Sequence, residues 1–239
     1  LKQSFQMLNH LEQEESEFGP EFVVLDKGKL LVRKRWTELF RTAGLESFED
    51  FMSTMRGEIL GERADRVRMR IKLDSPDGRE VFYLKRHHRP GFSGRLARGL
   101  GISPKVSAGR QELINILHLK RAELATMSVA AVGEGKGAAG SFIMVEELTG
   151  YESLDDFLKG FLAKSDQPGQ VQKKRELIRA VGSYVRKLHG AGMVHQDLYL
   201  CHLFVRPEDP AGSLSIIDLQ RIRKLRRVRG RASSKTWQH

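Results

Sequence analysis

The stretch GMVHQDLYLCHLFV, residues 192 to 205, gathers His195, Asp197, Cys201 and His202 into fourteen positions framed by apolar residues. A second aspartate, Asp218, follows Asp197 about twenty residues on. Asp197 comes directly after MVH, and Asp218 ends the apolar run SLSIIDL, which pairs with LFVRP across the turn residues EDPAG. Two carboxylates brought together across such a hairpin can divide the work of phosphoryl transfer. One accepts the proton of an attacking hydroxyl, and the other holds a divalent cation on the phosphates. Other chemistries open to these residue types fit less well. One cysteine and loop histidines lack the paired spacing of structural zinc sites and the helical spacing of catalytic ones. Cys201 lies among apolar residues that favour an inert, buried thiol, and no third group is identifiable to orient a Cys-His nucleophile.

The elements that must position these residues are legible along the chain. From Val67 to Leu73, VRMRIKL alternates apolar and basic residues, SPDG supplies a turn, and EVFYLK follows, which predicts a hairpin. After a basic, glycine-containing segment, RQELINILHLKRAELA has helix-forming composition with apolar positions at Leu113, Ile114, Leu117 and Leu124. SFIMVEEL reads as a strand running into a connector. In the back half, Ser153 and Asp156 form a capping-box-like start for SLDDFLKGFLA. The next helix puts Leu177, Ile178, Val181, Tyr184, Val185 and Leu188 on one face, ends at Gly190, and delivers the chain to the aspartate stretch.

Within that frame Lys85 falls on a strand and Glu112 on a helix, the positions at which a protein kinase carries its phosphate-holding lysine and that lysine's partner. Each residue alone has a plain structural reading. Asp197 and Asp218 can be turn residues, Lys85 one base in a basic run, and Glu112 a carboxylate favoured by a helix N-terminus. Four charged residues in this order, each on the expected element, are far more specific than any one of them.

HQDLYLCHLFV followed by SIIDLQRIRK resembles the lipopolysaccharide core kinases, the Kdo and heptose kinase family, and resembles its heptose kinase branch more than its Kdo kinase branch. The similarity runs from about Trp36 to Arg223. It implies an α+β, protein-kinase-like two-lobed fold: an N-terminal segment over residues 1–21, a strand-rich lobe over 22–147, and a helical lobe over 148–239. Kinases of this type continue into further helices, so the resemblance implies a back lobe that is incomplete in this sequence.

By the same resemblance Asp197 is the catalytic base, Asp218 holds Mg²⁺, and Lys85 contacts the ATP phosphates with Glu112 steadying it. His202 occupies the slot of a metal-binding asparagine and takes a site role, although Mg²⁺ prefers oxygen ligands. Gln196 stands where protein kinases have arginine, so control through a phosphorylated activation loop is not expected. The phosphate-covering loop is represented only by Gly57 and Gly61 in MRGEILGERADR, not by a full glycine motif. The connector Glu146-Glu147-Leu148 carries the groups expected to meet adenine. ATP and Mg²⁺ are the expected cofactors, and a lipid-linked lipopolysaccharide core is the expected acceptor. A kinase of Kdo or another sugar or small molecule, and a non-catalytic membrane-associated pseudokinase, are the alternatives.

The charge balance agrees with an anionic partner. The 239 residues carry 41 Lys and Arg against 30 Asp and Glu, a net charge of +11. Residues 85 to 110 hold seven bases and no acid, and residues 221 to 231 hold seven more. In GFSGRLARGLG, arginines interleave with apolar residues as in segments that lie on anionic membranes. No apolar run approaches a membrane span, and the start lacks the pattern of a secretory signal. These features read as cytoplasmic, and the family resemblance, with its lipid-linked acceptor, implies a place peripheral at the cytoplasmic face of a Gram-negative-type inner membrane. No nucleic-acid-binding module is recognisable, and nucleic acid is not expected as a partner.

Overall fold

A computed structural model of the chain describes residues 21–88, 106–135, 140–162 and 169–224. Residues 1–20 of the N-terminal segment, the interleaved segment GFSGRLARGLG and the tail beyond Lys224 lie outside the described residues.

The front half is built on one antiparallel sheet. Strands β1 (Phe22–Leu25), β2 (Leu30–Arg33), β3 (Glu58–Arg63), β4 (Arg66–Ser75), β5 (Gly78–His87), β6 (Val129–Glu134) and β7 (Ser141–Glu146) form it in the order β1-β2-β6-β7-β5-β4-β3. The expected hairpin is its longest pair, β4 and β5, in register from Arg66 opposite His87 to Ser75 opposite Gly78. Period-two alternation gives this hairpin two unlike faces. Val67, Met69, Ile71 and Leu73 are buried with Phe82 and Leu84 against two short helices, α1 (Thr37–Thr42) and α2 (Phe48–Ser53). Phe40 of α1 meets Phe51 and Phe82 edge to face, closing that core. Helix α2 opens with a capping box in which Ser47 and Asp50 satisfy each other's backbone N–H groups.

The other face of the sheet carries helix α3 (Ala108–Arg121), whose first turn is capped by Ser107. Its buried face is Gly109, Glu112, Leu113, Asn115, Ile116 and Leu119. This corrects the expected apolar stripe: Ile114 and Leu117 are only partly buried, and Leu124 lies beyond the helix end. The reason is that the inward face of α3 is partly polar, since it carries Glu112 and Asn115 toward the cleft.

The back half follows β8 (Glu152–Ser153) with α4 (Leu154–Leu162), α5 (Gln170–Gly190), β9 (Met193–His195), β10 (Leu203–Val205), β11 (Ser215–Ile216) and β12 (Ile222–Lys224). The Ser153 hydroxyl accepts the Asp156 N–H at 3.1 Å, as expected for the start of α4. Helix α5 buries Leu177, Tyr184 and Leu188, but Ile178 is 61% exposed, contrary to its place in the expected stripe. The helix stops just past Gly190, where Gly192 takes φ +74 and donates to the His189 carbonyl. Strands β9 and β12 pair, as do β10 with β11 and β8. One continuous core joins α3 and the sheet to Leu177, Tyr184, Leu188, Leu203, Val205, Ile216 and Leu219 behind the cleft.

Candidate active site

Lys85, Glu112 and Asp218 meet where the sheet, α3 and the β11–β12 turn converge. The Lys85 ammonium donates to Glu112 Oε1 at 2.7 Å and to Asp218 Oδ1 at 3.0 Å. Glu112 is fully buried, and its second oxygen has no hydrogen-bond partner among the described residues. Burial alone would lower the Lys85 ammonium pKa, but the two carboxylates outweigh it and hold that pKa above its ordinary value. Burial pushes the Asp218 carboxyl the other way, yet the charge and hydrogen bond of Lys85 foremost, with Arg66 adding to them, keep it below the usual range. Asp218 is therefore an anion able to hold a cation.

The backbone around Asp218 is fixed from three sides. The residue adopts φ +57, ψ +54, a left-handed conformation that aspartate tolerates better than most residues. His195 Nε2 hydrogen-bonds the Asp218 carbonyl at 3.0 Å, Asn115 Nδ2 donates to the Leu219 carbonyl at 2.7 Å, and the Ile217 N–H donates to the His202 carbonyl at 2.9 Å. Because a carbonyl only accepts, Nε2 of His195 carries the proton. Nδ1 is then free to accept the Asp197 N–H, which it does at 3.2 Å. A single buried imidazole thus joins the backbones of the two aspartates. Burial lowers its pKa and favours the neutral ring this bridge requires.

Asp197 itself is partly exposed, with Oδ2 held by Arg221 Nε at 2.8 Å. Gln196 Oε1 accepts from Arg223 Nε at 2.8 Å, so the stretch after β9 is tied twice to β12. His202 Nδ1 meets the Asp197 carbonyl at 2.6 Å, which places its proton on Nδ1. In the neutral ring Nε2 is then a bare acceptor, 3.8 Å from Asp218 Oδ2. An acceptor facing a carboxylate across that distance is a fit for a divalent cation, with Asp218 the oxygen donor such an ion takes. Among the described residues no cluster of three or more histidine, cysteine or carboxylate side chains surrounds it, so the remaining ligands would have to come from phosphates or water.

Other expected site residues lie at different heights in the cleft. Gly61 is on the rung of Arg68, which pairs with Lys85 on β5. Gly57, at φ +114, precedes β3 near the opposite end of that strand, and a side chain there would collide with the Arg70 carbonyl. Its glycine is required by that close approach. In the connector, the Glu146 carboxylate is engaged by Trp36 Nε1 at 2.8 Å and by Arg33 and Arg35, and its N–H donates to Ser128. The Leu148 carbonyl accepts from Tyr151, while its N–H has no partner among the described residues.

Sequence reading missed Asn115, Arg221 and the polar face of β4. The alternation in VRMRIKL marks that face, since every second residue from Arg66 to Lys72 is basic. Asn115 and Arg221 carry no local signal; only the tertiary fold brings them to Leu219 and Asp197. Cys201 is exposed, contrary to the buried thiol expected of it.

With this geometry in view, the family model described as the lipopolysaccharide kinase (Kdo/WaaP) family matches residues 51–238. The chain is 33% identical over 187 residues to the lipopolysaccharide core heptose(I) kinase WaaP of Pseudomonas aeruginosa, covering 74% of this chain and 66% of that protein. It is 30% identical over 193 residues to the protein of that name from Escherichia coli, covering 77% and 69%. The chain thus spans about two thirds of the length of these curated relatives. A solved structure, WaaP in complex with acyl carrier protein, superposes with a TM-score of 0.60 at 30% identity, covering 82% of this chain and 73% of that one. The fold is accordingly α+β and protein-kinase-like, and this chain, with a lysine, a helix glutamate and two aspartates convergent in its cleft, belongs to the lipopolysaccharide kinase (Kdo/WaaP) family.

Proposed function

We propose that this chain transfers the γ-phosphoryl group of ATP to a sugar hydroxyl of the lipopolysaccharide inner core, a heptose hydroxyl. The observation that carries this reading is Lys85 bridging Glu112 and Asp218, with Asp197 joined to Asp218 through His195. The relatives named above as heptose(I) kinases support the choice of acceptor.

The residues divide the work as follows. Lys85 holds the nucleotide's phosphates and is itself aimed by Glu112. The Leu148 N–H receives the base, and Glu146, engaged by Trp36, keeps the connector in place. Asp218 and His202 would hold Mg²⁺, which would supply charge neutralisation on the phosphates. Asp197, one oxygen fixed by Arg221, orients the acceptor hydroxyl with the other and takes its proton as the phosphoryl group moves. Catalysis is then mostly positioning and charge neutralisation. The strand-rich unit over 22–147 closes the nucleotide from one side, and the unit from 148 onward presents the acceptor. The intact Lys85–Asp218 pair favours this enzyme over a pseudokinase despite the departures at Gln196 and His202.

An acceptor of this class is lipid-linked, so the protein works at the cytoplasmic face of the inner membrane. No helix among the described residues is long and apolar enough to cross a membrane, and a peripheral attachment through the basic segments accounts for that placement. The solved relative bound to acyl carrier protein makes such a carrier a partner to test by co-expression.

The test is mass spectrometry of core oligosaccharide lacking phosphate after incubation with the chain, ATP and Mg²⁺. One added phosphate mapping to heptose supports the proposal. A phosphate on Kdo, or none on a core that the P. aeruginosa relative modifies, contradicts it.

A further inference from the structure

The face of β4 that looks into the cleft is basic from Arg66 to Lys72, and Asp74, next on that face, is paired with Arg79. Arg66, Arg68, Arg70 and Lys72 alternate with the buried Val67, Met69, Ile71 and Leu73. Residues paired across an antiparallel ladder share a face. The register sets Arg66 opposite His87, Arg68 opposite Lys85 and Arg70 opposite Tyr83. The three arginines therefore form a row beside Lys85, about 13 Å from first to last at the rise of a strand.

The two ends of the row are already engaged. Arg70 donates to Glu147 Oε1 at 2.8 Å, and the Tyr83 hydroxyl donates to the same oxygen at 3.1 Å, which anchors that end to the connector. Arg66 reaches Gln220 at 3.4 Å, two residues beyond Asp218, and its charge helps hold the Asp218 carboxyl low. Arg68, between them, is exposed, and its guanidinium has no hydrogen-bond or ion-pair partner among the described residues. Its guanidinium lies across Gly61, where a side-chain carbon would come within 3.0 Å of it.

We infer that Arg66 and Arg68 form a cationic clip that, with Lys85, grips the polyphosphate of the nucleotide from the roof of the cleft, in place of the backbone amides of a glycine-rich loop. The inference rests on the reading of this cleft as the ATP site. The row runs from the connector, where the base is read, to Asp218, where the cation is held, and its unengaged member sits on the rung of Lys85. Guanidinium groups suit this task because their planar donors match phosphate oxygens two at a time.

The experiment compares the binding of ATP and of adenosine to the full chain by calorimetry, for wild type, Arg66→Met, Arg68→Met, the double variant, and Lys72→Met as a charge control. The expected result is ATP affinity weakened about tenfold or more in each arginine variant. Adenosine affinity should be unchanged, Lys72→Met should match wild type, and Arg68→Lys should recover part of the loss. Unchanged ATP affinity in Arg68→Met, or equal weakening for adenosine, overturns the clip. So does normal ATP affinity with only the acceptor KM raised. Arg68 is exposed, so its variant keeps the test open even where Arg66→Met impairs folding. Failure of the wild-type chain to bind ATP removes the proposed function itself, and the clip with it, whereas normal binding by both wild type and variants removes the clip alone.

Discussion

Asn115 donates its amide N–H to the Leu219 carbonyl at 2.7 Å, from the helix that carries Glu112 to the segment that carries Asp218. The asparagine is 3% exposed and is itself held by Gln111 Nε2 at 3.2 Å. Helix α3 thus acts on Asp218 twice, through Lys85 and through the backbone that keeps Asp218 left-handed. Asn115→Leu leaves a buried carbonyl unpaired and should cost about 1–3 kcal/mol of stability. Its more specific effect should be a higher Mg²⁺ concentration for half-maximal activity, read by titrating the metal at saturating ATP. A variant that loses stability with an unchanged Mg²⁺ response would reduce Asn115 to a packing role.

Arg221 fixes one oxygen of Asp197 while remaining 57% exposed. An exposed pair of this kind contributes about 1 kcal/mol or less to stability. Arg221→Met should therefore melt within a few degrees of wild type yet lose on the order of 100-fold in kcat, because the base loses its aim. ATP affinity should hold, and Arg221→Lys should recover part of the rate. Steady-state kinetics with thermal melts separates this from simple destabilisation.

Lys85 and Glu112 are coupled by burial. Lys85→Met strands a fully buried carboxylate and should cost about 3–5 kcal/mol. Adding Glu112→Gln should return much of that stability without returning activity. A double-mutant cycle by chemical denaturation measures the coupling, and strictly additive losses would refute it.

His87, on the same face as Lys85, has its pKa pushed down to about 4 by burial, with Lys85 and Arg66 adding to the effect. Its Nε2 has no partner among the described residues. A histidine whose folded pKa lies below its unfolded value stabilises the neutral form. That stability is complete above pH 6.5 and is lost as the pH falls from 6.5 toward 4, amounting to about 3 kcal/mol. The melting temperature of wild type should fall relative to that of His87→Gln as the pH drops through this window. Parallel curves would show that His87 does not titrate with folding.

The sequence displays the site best where a local pattern carries it. The β4–β5 hairpin announced itself by strict alternation, and Asp197 by the long helix that delivers it. Strand β6, VAAVGE, and its neighbour β2 were hidden because each is short and buried in the sheet, with no alternation to betray it, and the four-residue edge strand β1 because it too shows no alternation. Helices α1 and α2, six residues each, are too brief for a helical period. Ile178 joined a helical stripe by spacing but faces outward, because spacing gives a face and not what covers it. His195 offers no local signal of its role either, since its two backbone bonds reach Asp218 and Asp197 only in the folded chain. The links from Asn115 and Arg221 span 104 and 24 residues, and such partners become visible only once the chain has folded.

The central claim is phosphoryl transfer with Asp197 as base, and the most direct measurement is transfer of label from γ-labelled ATP, with Mg²⁺, to phosphate-free lipopolysaccharide core by wild type and Asp197→Asn. The account predicts label in the core with wild type, loss of that label by on the order of 100-fold or more in the variant, and equal ATP affinity in both. Equal transfer by the two proteins, or a folded wild-type chain that binds ATP and labels no core, would contradict it.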